Sequence, residues 1–358
     1  MPRCASSWVS LLVTLVLGAS SARAGDEPAA PKPRGERTLG LAIGEPEPGG
    51  YDGAFTLARR VGVGETSISL AWDELEAKPG VYASPWVAIA ASYYPTRGIK
   101  LTVVVNPIDT TTDRRPKALR TKAWDDPAVV EGYAGVIAWV LDGLEGVPLA
   151  GLSLGNEVDV LLGTDARAWA AYGRLVREVR RRVRAKHPEL VVGVKVTSGG
   201  LAIDGPARGL AAAADLDATF ATYYPLGEGF LVRDPSVVAA DVAGMVTASG
   251  ARPLWLLEVG CPSGTVCGSS PDVQRRFVEA VFVAWDAHAA RIPVLSFCWM
   301  HDQPAATVGE MTRYYGLAAP AFRDFLATLG LRERGGEGRD KPAFAALAAA
   351  ARARGFAK

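Results

Sequence analysis

A single (β/α)8 barrel, of the α/β class, is the fold this 358-residue sequence predicts, and three features predict it. Short β-rich apolar runs recur eight times, with helix-like patterns between them. The runs are almost continuously apolar rather than alternating, as in strands covered by helices on both faces. Strict β–α alternation over eight strands then closes into a barrel. The competing architecture, an open doubly wound sheet, usually carries a Gly-rich phosphate loop after its first strand. Here "AIGEPEPGG" follows strand one and contains no GxGxxG.

Taken in order, residues 1–24 read as a cleaved secretory signal. Arg3 supplies a positive charge, Trp8 to Leu17 an apolar stretch, and Ala22-Arg23-Ala24 a small-residue exit before Gly25. The stretch is too short for a membrane span, and no later apolar run is long enough to be one. A secreted or periplasmic product is expected, with no membrane attachment after cleavage. Residues 25–37, "GDEPAAPKPRGER", read as a Pro-rich linker. The barrel is expected over 38–358. Its strands are placed at 38–43, 66–72, 99–105, 149–155, 190–196, 218–224, 253–259 and 293–299. Helices are placed at 53–61, 84–97, 126–144, 165–186, 206–214, 235–249 and 271–289, with two more at 320–329 and 342–353. Ser270 can cap the helix that Pro271 begins, and Gly98, Gly250 and Gly330 stand where helices should stop.

Charge narrows the function. With 39 basic and 38 acidic residues, the chain offers no field for nucleic acid or an anionic membrane. The basic run "VREVRRRVRAKHP" at 176–188 looks like the outer face of a helix whose buried side is Val176, Val179 and Val183. No metal or cofactor site is expected. The three histidines, His187, His288 and His301, are scattered and no CxxC occurs. Cys261 and Cys267 lie six apart in a Gly/Ser/Pro-rich loop and could form a loop staple in an oxidising compartment. Cys298 reads as a buried free thiol. A monomer is expected.

The polar groups gather where a barrel of this kind does its chemistry, at the C-terminal ends of the strands. Strand two ends at Trp72-Asp73-Glu74 and strand three at Asn106-Pro107. Strand four delivers Asn156-Glu157, with Asp159 close behind. Strand six ends at Tyr223-Tyr224, strand seven carries Glu258, and strand eight ends at Trp299, followed by His301 and Asp302. Glu157 and Glu258 therefore face each other across one mouth. Paired acids flanking a sugar bond can cleave it, one protonating the leaving oxygen while the other attacks the anomeric carbon. A separation of about 5 Å gives retention, and a wider gap gives inversion. Asn156 could hold the sugar's 2-hydroxyl, Tyr224 could orient Glu258, and Trp299 and Trp72 offer flat faces to sugar rings. Tyr223 and Asp159 complete the expected substrate-binding set. Trp124 is expected in the core.

Several segments carry a resemblance: "GLSLGNEVD" (151–159), "TYYPL" (222–226), "LWLLEVGCPSG" (254–264) and "VLSFCWMHD" (294–302). So do "WDELEAKPGVY" (72–82) and "GLRERGGEGRDKPAFAAL" (330–347). Together the chain resembles the retaining β-glycosidases of clan GH-A. Their barrels bear an Asn-Glu pair on strand four and a nucleophilic Glu on strand seven. The resemblance implies Glu157 as acid/base and Glu258 as nucleophile, acting on an oligosaccharide or polysaccharide. It also implies that Glu157 holds its proton in the free enzyme while Glu258 is ionised. Two departures stand out. Many relatives have a His two residues before the strand-six Tyr, where this chain has Thr222, and an Arg near the end of strand two, where it has none. The alternative those gaps leave is a catalytically degenerate barrel that binds carbohydrate without cutting it.

Overall fold

A computed structural model describes residues 30–202 and 204–357. The expected signal and the linker up to residue 29 lie outside the described residues.

All eight expected strands form. They are β1 (Thr38–Leu41), β2 (Glu65–Ala71), β3 (Lys100–Asp109), β4 (Leu149–Asn156), β6 (Thr219–Tyr223), β7 (Leu254–Val259) and β8 (Val294–Phe297). Between β4 and β6, β5 runs in two pieces, Val191–Gly193 and Lys195–Thr197. Every neighbour in the ring is parallel. The first piece of β5 pairs with β4 and the second with β6, so the broken strand carries the ring across. β1 pairs with β8 from Thr38↔Val294 to Leu41↔Phe297, which closes the barrel. The β1–β2 seam is held by the single register pair Gly40↔Glu65. Gly40 is required there by space. A Cβ on it would sit 2.1 Å from Glu65 Oε2 and 2.5 Å from Ser296 Oγ.

Each strand is followed by a helix of the outer ring. These are α1 (Tyr51–Arg60), α2 (Pro85–Tyr93), α3 (Pro127–Gly143), α4 (Ala166–Lys186), α5 (Leu210–Ala213), α6 (Val238–Ala248), α7 (Pro271–Ala287) and α8 (Pro342–Ala353). Local chemistry sets their starts. Asp126 caps α3 by accepting from Ala128 N–H, Asp165 caps α4, and Ser270 caps α7 as expected. Val176, Val179 and Val183 do form the buried stripe of α4. Its arginines are largely neutralised by neighbours: Arg180 pairs with Asp215 and Asp217, and Arg182 with Glu131 and Glu178. The helix expected over 206–214 contracts to the single turn of α5, because Gly209 immediately before it takes φ +89°.

Two features differ further from expectation. A helix that the apolar pattern did not suggest, Ala305–Tyr315, follows β8 and packs against Pro320–Thr328. This pair caps the C-terminal mouth. Residues Lys32–Arg37, expected within the linker, instead dock on the N-terminal end of the barrel. Arg34 N–H donates to Arg354 C=O, and the Arg37 guanidinium lies 4.6 Å over the Trp285 ring and pairs with Asp286. Cys261 and Cys267 are separate buried thiols rather than a disulfide. Each thiol is turned to a nearby backbone carbonyl, Pro262 and Gly264 respectively. Cys298 is the buried free thiol expected. Trp124 is core, edge-on to Tyr172 and covered by Arg115 at 3.7 Å. Among the described residues no helix is long and apolar enough to cross a membrane, and no cluster of metal-ligating side chains occurs.

Candidate active site

The site begins with a bend at the end of β4. Gly155 takes φ +120°, and Glu157 itself adopts the left-handed conformation at φ +44°. A non-glycine residue there costs about 1–2 kcal/mol. The bend separates Glu157 from the strand's regular alternation and turns its carboxylate over the barrel mouth. Thr110, in the loop after β3, donates to Glu157 Oε2 at 2.9 Å. Thr222, on β6, donates to Oε1 at 2.7 Å.

Two residues further along the chain, Tyr224 donates its hydroxyl to Glu258 Oε2 at 3.1 Å. One strand end thus positions both acids, and β6 and β7 are in register at Thr222↔Glu258. The other oxygen of Glu258 is held by the Lys195 ammonium from the second piece of β5. Lys195 is 3% exposed, so this pair is shielded from solvent on its cationic side. Burial pushes the Glu157 carboxyl up to about 7, reinforced by the charge of Glu258 and opposed by the Thr222 hydrogen bond and by Lys195. The two acids therefore sit in unlike surroundings: one held beside hydroxyls, one held against a cation.

Both acids line one cavity of about 310 Å³, with Asn156, Tyr224 and Trp299. Asn156 donates from Nδ2 to Asp109 at 2.7 Å, and its Oδ1 is buried without a partner. The peptide before Trp299 is cis.

Three of the residues expected to bind substrate stand elsewhere. Trp72 is fully buried; its indole N–H donates to Glu76 at 2.6 Å and its ring packs on Tyr133. It starts a one-turn helix outside the strand and turns into the helix layer. Tyr223 is the neighbour of Tyr224, and strand alternation sends it to the opposite face. There its hydroxyl donates to Asp241 of α6 at 2.9 Å. Asp159 is spent on structure, accepting from Thr197 N–H at 2.8 Å and Thr197 Oγ1 at 2.5 Å, which ties the β4 bend to β5. Other strand-end polar groups are likewise internal ties. His301 bridges Gly44 C=O and Arg332, and Asp302 pairs with Lys341.

The sequence reading missed Thr110, Thr222 as a ligand of Glu157, and Lys195. Only Lys195 left a signal, as a lone charge within the apolar run "LVVGVKV".

No protein-family model matches the chain, and neither does any curated protein. Its fold, however, is that of known glycoside hydrolase barrels. The chain is similar to an exo-β-1,4-mannosidase from Opitutaceae bacterium strain TAV5 at 18% identity and TM-score 0.69. That match covers 89% of this chain and 59% of the mannosidase, so the chain spans about three fifths of that protein's length. It is similar to GH5_18 from Streptomyces cattleya, solved with GlcNAc, at 18% identity and TM-score 0.67, over 90% of this chain and 80% of that one. A Thermotoga maritima β-glucosidase solved with deoxynojirimycin matches at 9% identity and TM-score 0.59, over 84% and 85% of the two chains.

Proposed function

We propose that the protein is an exported glycoside hydrolase that cleaves β-linked sugars by retaining double displacement, with Glu157 as acid/base and Glu258 as nucleophile. The observation that carries this reading is the pair of carboxylates lining one cavity, Glu157 buried with its carboxyl pushed up and Glu258 ion-paired to Lys195. The fold shared with glycoside hydrolases supports it.

In the first step the Glu258 carboxylate attacks the anomeric carbon while Glu157 gives its proton to the departing oxygen. In the second, Glu157, now a carboxylate, takes a proton from the water that opens the glycosyl ester. Charge is conserved across the two steps. At the start the negative charge is on Glu258, and once Glu258 is esterified it is on Glu157. Lys195 faces both, since the fields of both carboxylates act on its ammonium. One fixed cation therefore serves both half-reactions. Lys195 also supplies, from β5, a positive partner for Glu258 where many relatives have an Arg near the end of strand two.

The test is turnover of a panel of aryl β-glycosides by the wild-type protein and by Glu258→Ala. Hydrolysis lost in the variant supports the reading. Carbohydrate binding without turnover in either protein contradicts it and returns the chain to the binding-only alternative.

A further inference from the structure

The cavity over Glu157 and Glu258 has two unlike walls. The strand-end wall is polar: Asn156, Glu157, Tyr224 and Glu258, with Thr110 and Thr111 from the loop after β3. The rest of the lining is mainly carbon, with the Tyr315 hydroxyl and the Trp299 indole N–H as its polar side-chain groups. Leu226 and Phe230 come from the loop after β6, and Met311, Phe322, Phe325 and Leu326 from the cap. The carbon wall starts directly at the acids. Phe325 lies edge-on to Tyr224, the residue that holds Glu258, with ring centroids 5.3 Å apart. Phe230 and Phe322 continue it at 4.7 Å.

A second sugar could lay only its C–H faces on such a wall. Each ring hydroxyl pressed against it would lose its water and gain no hydrogen bond. About 310 Å³ is also at the small end for a ligand cavity. It suits one ring and a modest appendage rather than a length of polysaccharide. An apolar appendage, in contrast, gains from burial in proportion to its area.

Resting on the glycosidase reading above, we infer that the substrate is a compact β-glycoside whose aglycone is apolar, an aryl or alkyl group seated against the cap. The sugar takes the polar wall, beside Asn156, Glu157, Tyr224 and Glu258. On cleavage the glycosidic C–O bond breaks and the aglycone leaves as its neutral alcohol or phenol, carrying the Glu157 proton. Water then supplies the hydroxyl of the free sugar and returns a proton to Glu157.

The experiment is calorimetric titration with non-hydrolysable 1-thio-β-glucosides and 1-thio-β-mannosides bearing methyl, butyl or hexyl tails, beside the thio-linked disaccharides of the same sugars. Affinity is expected to rise about fourfold per added methylene, the increment that burial of a CH₂ gives. Met311→Gln, a near-isosteric change at a half-buried position, should flatten that rise, with the largest loss on the hexyl compounds. Tail-independent affinity, or disaccharides that bind more tightly than the hexyl compounds, overturns the inference. Because binding is read without turnover, the two readings separate. A steep tail dependence with no hydrolysis of any aryl glycoside sinks the hydrolase and leaves the apolar seat. Hydrolysis with a flat tail dependence does the reverse.

Discussion

Burial beside the charge of Glu258 pushes the Glu157 carboxyl up to about 7, so the proton needed by a departing oxygen is in place below that value and is lost as pH rises through it. For alkyl glycosides, whose leaving groups need protonation, kcat/KM should therefore fall on the alkaline side with a midpoint near 7. Glu157→Gln should lose about 10²–10⁴ in kcat/KM on such substrates and lose the alkaline limb, with a smaller loss on nitrophenyl glycosides. An unchanged limb in that variant contradicts the role. At Lys195, removal of the charge in Lys195→Met should lower kcat by about 10²–10³ with little change in KM, the scale of losing one fixed electrostatic partner. Lys195→Arg should recover part of the loss. Equal KM and kcat effects, with no recovery by Arg, would mark Lys195 as merely structural. At this scale the sequence was half legible. Asn156, Glu157, Tyr224, Glu258 and Trp299 stand at strand ends and all reach the cavity. Tyr223 fails because one step along a strand reverses the face. Trp72 and Asp159 fail because each lies in a short helix just past its strand, where strand alternation no longer decides where they point. Thr110 and Thr222 are ordinary residues whose role comes only from the approach of a distant glutamate.

Among the elements, β4 and β6 do most to build the site. The left-handed bend at Glu157 aims one acid, and the two-residue spacing of Thr222 and Tyr224 lets one strand end hold both. The seam between β1 and β2 is the thinnest part of the ring, a single pair at Gly40. Gly40→Ala would drive a methyl group into Glu65 and Ser296, so it should destabilise the fold by about 1–3 kcal/mol, the usual range for overpacking a core. Equilibrium denaturant unfolding measures this, and a variant as stable as wild type would mean that the seam can open to make room. The strands were legible, apart from the break at Val194 that splits β5, because eight apolar runs need covering on both faces, whatever the loops do. The helix Ala305–Tyr315 was not. Its residues include few that are buried, Val308 and Thr312 among them, so it carries little of the apolar periodicity that marks a helix.

At the scale of the whole molecule, the barrel divides labour between its ends. The N-terminal end is closed by charge and aromatic contact: Arg37 and Arg354 converge on Asp286, with Arg37 over Trp285. The C-terminal end keeps its acids under a cap of which the sequence pattern announced only the second helix, Pro320–Thr328. Fold class was readable from β–α alternation and strand composition together with the lack of a Gly-rich phosphate loop after the first strand, which weighed against an open sheet. The cavity's character was not readable, because it depends on which loop side chains meet across it. The account turns on Glu258 becoming covalently bonded to the sugar. Incubation with activated 2-deoxy-2-fluoro β-glycosides of gluco and manno configuration, followed by peptide mass spectrometry, tests that directly. The expected result is one glycosyl group per protein, esterified to Glu258 and absent from Glu258→Gln. A label on any other residue, or turnover of these substrates with no label at all, would contradict it.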